Sequence, residues 1–296
     1  MNQEEIDNYI KAGKIAAEVL EYGKILIKKG SSLLEVTDKI EKKIFELKGM
    51  PAFPVQISLN EAAAHYCPDS EDKTSLEDQI CCLDVGVHVD GCIGDNAVTV
   101  DLSGKNSELV KASREAVNGA LKIIQIGTTL GEIGNVIQET IEGFGFKPVR
   151  NLSGHGLESY NIHARPTIPN FDTKDKTALE KGQVIAIEPF ATPGSGLIHE
   201  KGNATVFAQI NKKPVRVGFV REILKQIESY NMLPFTKRWL TANFSEAKVN
   251  YALKQLKQLE IIREYPPLVE RTNALVSQAE HSVIVDEKVI ITTKLD

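Results

Sequence analysis

No run in this chain approaches the roughly 18 consecutive apolar residues that span a bilayer. Its opening, Met1-Asn2-Gln3-Glu4-Glu5, is acidic where a secretory signal would be basic and then apolar. Both features point to the cytoplasm. Basic charge is not concentrated either: 35 Lys and Arg face 40 Asp and Glu, the net charge is −5, and no stripe suits a phosphate backbone. Neither a membrane nor a specific nucleic acid is an expected partner. Cysteine is scarce, and Cys67, Cys81, Cys82 and Cys92 form no CxxC pair and no secreted disulfide spacing. If Cys81 and Cys82 lie in a strand they point to opposite faces, which argues against joint metal ligation. Linkers rich in Pro or Gly/Ser are also missing, so the chain reads as one continuous domain, 1–296, carrying an insertion. What is present, 42% hydrophobic and 25% charged residues, is the profile of a soluble globular enzyme.

Apolar residues at three- to five-residue steps (Ile6, Ile10, Ile15, Val19, Leu20, Leu26) predict an amphipathic helix over 4–29. Ser32 and Glu35 stand in capping-box positions ahead of a second helix marked by Val36, Ile40 and Ile44. The same pattern returns 97 residues later: Gly30, Leu33, Glu35, Ile40 and Pro51 match Gly127, Leu130, Glu132, Ile137 and Pro148, with Thr129 and Glu132 as the second box. This predicts an internal duplication of a helix-helix-strand unit, although capped helices also resemble one another by chance. Between the copies, two β-rich runs around Asp90-Gly91 predict a hairpin. Further strands are expected at 184–189, 202–209, 281–285 and 289–293. From about 214 to 265 the patterns are helical, over 219–232 and 240–262, and interrupt the strands. Strands without strict βαβ alternation indicate an α+β fold.

On the hairpin, Asp95 should lie opposite Gly86, with Asp84 its diagonal neighbour on the same face. Two carboxylates so placed among Leu83, Val85, Gly94 and Ala97 repel unless a cation lies between them. Taken alone, such a pair also fits turn chemistry or a solvated surface. His155 is held between Gly154 and Gly156, where the backbone can approach a ligand closely. Glu188 ends an apolar strand and Glu280 begins one, and each also reads as a cap or a solvated residue. Together, four carboxylates and one imidazole suit two divalent cations, whose charge the carboxylates balance.

The strings AHYCP, DVGVHVDGCIGDNA, SGHG, YNIHA, AIEPFA, LPFTKRWL, YPPL and AEH, in this order over nearly the whole chain, resemble the type II methionine aminopeptidases of archaeal type, which have no long N-terminal extension. The resemblance implies an α+β pita-bread (creatinase/aminopeptidase) fold with a pseudo-twofold internal repeat, and a type II helical insertion, here about 205–265. It implies Asp84, Asp95, His155, Glu188 and Glu280 as metal ligands, Asp95 and Glu280 bridging, with two ions per chain (Co, Mn, Fe or Zn). It also implies His65 and His163 as unligated active-site histidines; they stand 98 residues apart, one step from the repeat. Phe53, Ile162 and Tyr265, with the two histidines, match the substrate-binding residues, and an apolar slot suits a thioether.

The implied activity is removal of the initiator methionine from nascent proteins when the second residue is small. A dimetal-activated hydroxide would attack, Glu188 would shuttle the proton, and the histidines would stabilise the developing charge. The expected partners are N-termini of nascent polypeptides, with room for a transient ribosome contact, and the expected state is a monomer. Two rivals share the fold: an Xaa-Pro peptidase, usually with an added N-terminal domain where this chain starts at its first helix, and a metal-free binding member, which would have lost ligands. Asn96, Arg165-Pro166 and Cys92 depart from the family pattern and bear on metal preference and turnover.

Overall fold

In the computed structural model, which describes residues 1–295, the chain opens with α1 (Gln3–Leu26) and α2 (Leu33–Glu46). Strands β1 (Met50–Pro51), β2 (Gln56–Leu59), β3 (Ala62–Ala64), β4 (Ile80–Val89) and β5 (Cys92–Asp101) follow. The order then repeats with α3 (Ser107–Ile123), α4 (Leu130–Gly143), β6 (Lys147–Pro148), β7 (Ser153–Glu158), β8 (Asn161–Pro169) and β9 (Val184–Ile187). Gly30 donates to the Leu76 carbonyl, Leu33 to Thr74, and Leu76 back to Ser31; Gly127, Leu130 and Leu179 do the same with Leu179, Thr177 and Thr128. The two helix starts are thus tied down by one hydrogen-bond pattern, displaced by the expected 97 residues on the helix side.

The caps themselves differ. Thr129 and Glu132 form the reciprocal box at α4. At α2 only half forms: Ser32 Oγ accepts from Glu35 N at 3.4 Å, while the Glu35 carboxylate stands 3.8 Å from Lys39 Nζ. The box expected at Ser32 and Glu35 stays incomplete because an i,i+4 lysine attracts the carboxylate outward.

The Asp90-Gly91 turn has φ of 49° and 88°, the left-handed pair that a two-residue hairpin turn requires. It fixes Gly86 opposite Asp95 and Asp84 opposite Ala97, as expected. β2 pairs with the far side of β4, giving a β2–β4–β5 sheet under α1 and α2. The apolar faces of these helices (Ala12, Ala16, Val19, Leu33, Ile40, Ile44) pack on Cys81, Leu83, Val85 and Val87. Cys82 points the other way, towards Thr99 and the Val276 carbonyl, so the adjacent thiols do part to opposite faces.

After β10 (Phe190–Thr192) and β11 (Ile198–Glu200), residues 206–265 form their own sheet and core. β12 (Val206–Gln209), β13 (Phe235–Thr236) and β14 (Ile262–Tyr265) pair in the order β13-β12-β14, and α5 (Gly218–Glu228), α6 (Lys237–Thr241) and α7 (Glu246–Gln258) pack against them. The single helix expected over 240–262 is interrupted: Ser245 is extended (φ −62°, ψ 144°) and starts α7 afresh, and Ile262 already belongs to β14. A buried clamp joins α6 to α2. Arg238 donates to both Glu41 carboxylate oxygens at 2.8 and 2.9 Å and to Asp38 at 2.6 Å, and Trp239 Nε1 donates to Glu41 at 2.9 Å.

The chain closes with β15 (Leu268–Glu270), β16 (Ser277–Gln278), β17 (His281–Ile284) and β18 (Ile290–Ile291). β17 pairs with β9, which pairs with β7, so β7–β9–β17 repeats the architecture of β2–β4–β5. The two sheets meet where Glu280 N donates to the Ala97 carbonyl at 3.0 Å, and where Ser282 Oγ both accepts from Asp95 N and donates to Asp95 O. Among the described residues no helix is long and apolar enough to cross a membrane.

Candidate metal centre

All ten residues singled out from the sequence line one cavity of about 220 Å³ at this seam: Phe53, His65, Asp84, Asp95, His155, Ile162, His163, Glu188, Tyr265 and Glu280. A larger open groove of about 770 Å³ near the start of α4 has lysines and backbone in its walls but no comparable cluster of buried acids. Asp84 and Asp95 reach the cavity from adjacent strands of the first sheet, His155 from β7, Glu188 from the residue after β9, and Glu280 from the residue before β17. His155 lies where the chain is crowded: a Cβ at Gly154 would meet the Ala186 carbonyl oxygen at 2.2 Å, and one at Gly156 the Arg165 carbonyl oxygen at 2.0 Å. Only glycine on both sides lets β7 bring the imidazole in between β8 and β9.

Asp95, His155 and Glu280 each offer a ligand atom within 4.8 Å of the others. Asp84 and Glu188 stand outside that tight trio but face the same space. Nδ1 of His155 is 3.2 Å from the Gly156 carbonyl, which can only accept, so Nδ1 carries the proton and Nε2 turns its lone pair inward. That lone pair faces carboxylate oxygens of Glu188 at 3.6 Å and Asp95 at 3.9 Å. Acceptor confronts acceptor. Asp84 Oδ1, Asp95 Oδ1 and Glu280 Oε1 are also buried with no hydrogen-bond partner. Orphaned acceptors converging on one point, in a set of hard oxygen and imidazole donors, fit divalent cations.

The electrostatics agree. Burial raises the Asp84 carboxyl to about 7, and burial with mutual repulsion raises Asp95, Glu188 and Glu280 well above the ordinary range. Four carboxylates cannot all ionise there without a countercharge. Burial and the neighbouring His163 lower His155 to about 3, and the same two causes lower His65 to about 4; burial lowers His163 as well. The imidazoles are therefore neutral and able to ligate or to donate one N–H. The His155 and His163 rings meet edge to face at 4.8 Å, and His65 meets Tyr265 likewise at 5.5 Å.

Two residues not anticipated from the sequence support this set. Gln278 Nε2 donates to Glu188 Oε2 at 3.3 Å and reaches Glu280 Oε2 at 3.5 Å, and its backbone N–H is held by Thr99 Oγ1. The alternation of Gln278 with Glu280 two residues on was its only sequence signal. Gln56, directly opposite Asp84 on β2, lines the cavity too, and no local pattern marks it.

Residues 7–218 match the model of metallopeptidase family M24. The chain belongs to that family. Over 99% of its length this M24 chain is 43% identical to the methionine aminopeptidase of Archaeoglobus fulgidus, covering all of that protein. It is 45% identical over 98% of its length to the methionine aminopeptidase of Thermococcus onnurineus, again covering all of it. Among solved structures, the crystal structure of methionine aminopeptidase from Thermotoga maritima superposes with a TM-score of 0.73 at 25% identity, covering 100% of this chain and 98% of that one. The M24 chain is a metal-dependent aminopeptidase with the pita-bread fold.

Proposed function

We propose that this aminopeptidase removes the initiator methionine from nascent polypeptides whose second residue is small. The observation that carries the proposal is the convergence of an acid and imidazole cluster, two further neutral histidines and an apolar wall in one cavity. Asp84, Asp95, His155, Glu188 and Glu280 would hold two divalent ions, drawn from Co, Mn, Fe or Zn. Bound there, the ions supply a water acidified enough to serve as nucleophile at neutral pH, and polarise the scissile carbonyl.

The remaining work falls to side chains. Glu188, oriented by Gln278, takes the proton from water and returns it to the leaving amine. His163 and His65 donate to the carbonyl oxygen and the peptide backbone, where charge develops, and as neutral imidazoles they do so without repelling the cations. Phe53, Ile162 and Tyr265 offer the slot for an unbranched thioether, which packs well on aromatic rings. We also read residues of about 205–265, which have their own core, as an insertion within one catalytic domain, 1–296, acting as a monomer.

Metal-loaded protein offered Met-Ala-Ser, Met-Lys-Ser and Ala-Pro-Ser, with chelated protein as control, should cleave the first peptide alone. Cleavage of Ala-Pro-Ser but not Met-Ala-Ser would instead identify an Xaa-Pro peptidase, and cleavage of none would leave a binding protein.

A further inference from the structure

His65 adopts a conformation its side chain disfavours. Its φ is 64°, in the left-handed region, and Nδ1 of its imidazole is buried without a partner. A non-glycine residue stays there only where its surroundings hold it. The neighbouring backbone is held conventionally: Leu268 faces Ala64 across β15, and Ile57 N donates to the Tyr66 carbonyl at 3.1 Å. The N–H of His65 departs from this pattern and donates to a side chain, Gln56 Oε1, at 2.6 Å.

Gln56 is well placed for this task. It lies directly opposite Asp84, so both side chains leave the sheet on the cavity face, and it is only 6% exposed. Its own backbone is anchored one residue earlier, where Val55 N donates to the clamped Glu41 carboxylate at 3.3 Å. An apolar side chain at position 56 would leave a partly buried N–H without its partner and remove the acceptor that favours the left-handed turn.

We propose that Gln56 is a positioning residue for the cleavage reaction: its amide oxygen captures the His65 N–H and holds the turn that aims the imidazole into the cavity. This rests on the assignment of His65 to the substrate. In this role Gln56 acts through His65.

The test is a double-mutant cycle of Gln56→Met, which keeps size but loses the acceptor, with His65→Ala, on metal-loaded protein cleaving Met-Ala-Ser, alongside amide exchange of His65 on metal-free protein. Gln56→Met should lower kcat about tenfold with KM changed less than about threefold, and should speed His65 exchange by about tenfold or more. In the His65→Ala background it should change kcat by less than about twofold, and Gln56→Glu, which retains an acceptor oxygen, should keep the His65 amide protected. A wild-type kcat in Gln56→Met, an equal loss in both backgrounds, or unchanged exchange overturns the proposal. Should Gln56→Met not fold, Gln56→Asn, polar but one methylene too short, carries the same expectations. If the wild-type protein does not cleave Met-Ala-Ser, the functional assignment falls, while the exchange measurement alone decides whether Gln56 holds His65.

Discussion

Replacing Arg238 with methionine should destabilise the junction between the helical segment and the first sheet far more than an ordinary ion-pair deletion. Glu41 is 6% exposed and receives four donors: two from Arg238, one from Trp239 and one from Val55. Arg238→Met removes two charge-assisted bonds and leaves a buried carboxylate with neutral partners only, a situation that costs about 3–5 kcal/mol. An exposed pair would cost about 1 kcal/mol or less. Adding Glu41→Leu should return part of the loss, because no charge is then left uncompensated; the unpaired Val55 N–H and Trp239 N–H keep recovery incomplete. Urea unfolding measures this well, since Trp239 is the single tryptophan of the chain and sits in the junction. In Arg238→Met its fluorescence should change at lower urea than the far-ultraviolet circular dichroism, as residues 206–265 part from the sheet first. A loss under about 1 kcal/mol, or a double variant weaker than the single one by the full cost of both changes, would refute a buried clamp.

Three further outcomes follow from the geometry. His163→Ala should lower kcat for Met-Ala-Ser by about two to three orders of magnitude, as loss of an oxyanion donor does, with metal stoichiometry by atomic absorption unchanged; wild-type turnover would remove His163 from the mechanism. Gly86→Ala would set a Cβ 2.1 Å from Cε1 of Phe53, so the ring must be displaced, and KM for methionyl peptides should rise about tenfold or more in steady-state assays. An unchanged KM would separate Phe53 from methionine binding. Glu270 accepts from the backbone and hydroxyl of both Ser195 and Thr272 and from Ala274 N, which pull its pKa down to about 2. A folded-state pKa below the unfolded value of about 4.3 stabilises the protein above that value, and the gain is lost as pH falls towards 2. Urea titrations at pH 3 and 7 should therefore show a smaller fall in stability for Glu270→Gln than for the wild-type protein; an equal fall would refute the assignment.

The parts of the fold legible in sequence were those set by neighbours along the chain. Asp90-Gly91 dictated a left-handed turn, hence the register that puts Asp84 diagonal to Asp95, and the structure has that register. Thr129 and Glu132 formed the expected box, with Val136 rather than a lysine four residues on, whereas Lys39 draws Glu35 away from Ser32. Apolar spacing over 240–262 was continuous, so the extended Ser245 between α6 and α7 left no periodic trace. Gln56 was invisible because its role depends on β2 lying beside β4 and on the backbone of His65, neither of which a local pattern encodes. Gln278 was half visible, through alternation with Glu280. The site residues were collected by their resemblance to a family, and the cavity that contains all ten gives the grouping a physical basis.

The backbone bridge from Glu280 to Ala97 has a consequence for how the chain matures. Asp84 and Asp95 are made early and His155, Glu188 and Glu280 later, so a fragment ending before β7 would hold two of the acids and lack the other three residues. A cation needing donors from both sheets has little reason to favour either piece, and its binding free energy is gained at the step when the sheets dock. With the ligand set proposed above, metal uptake would gauge completed assembly: a chain whose halves have formed but not met would be well folded locally and would still fail to load.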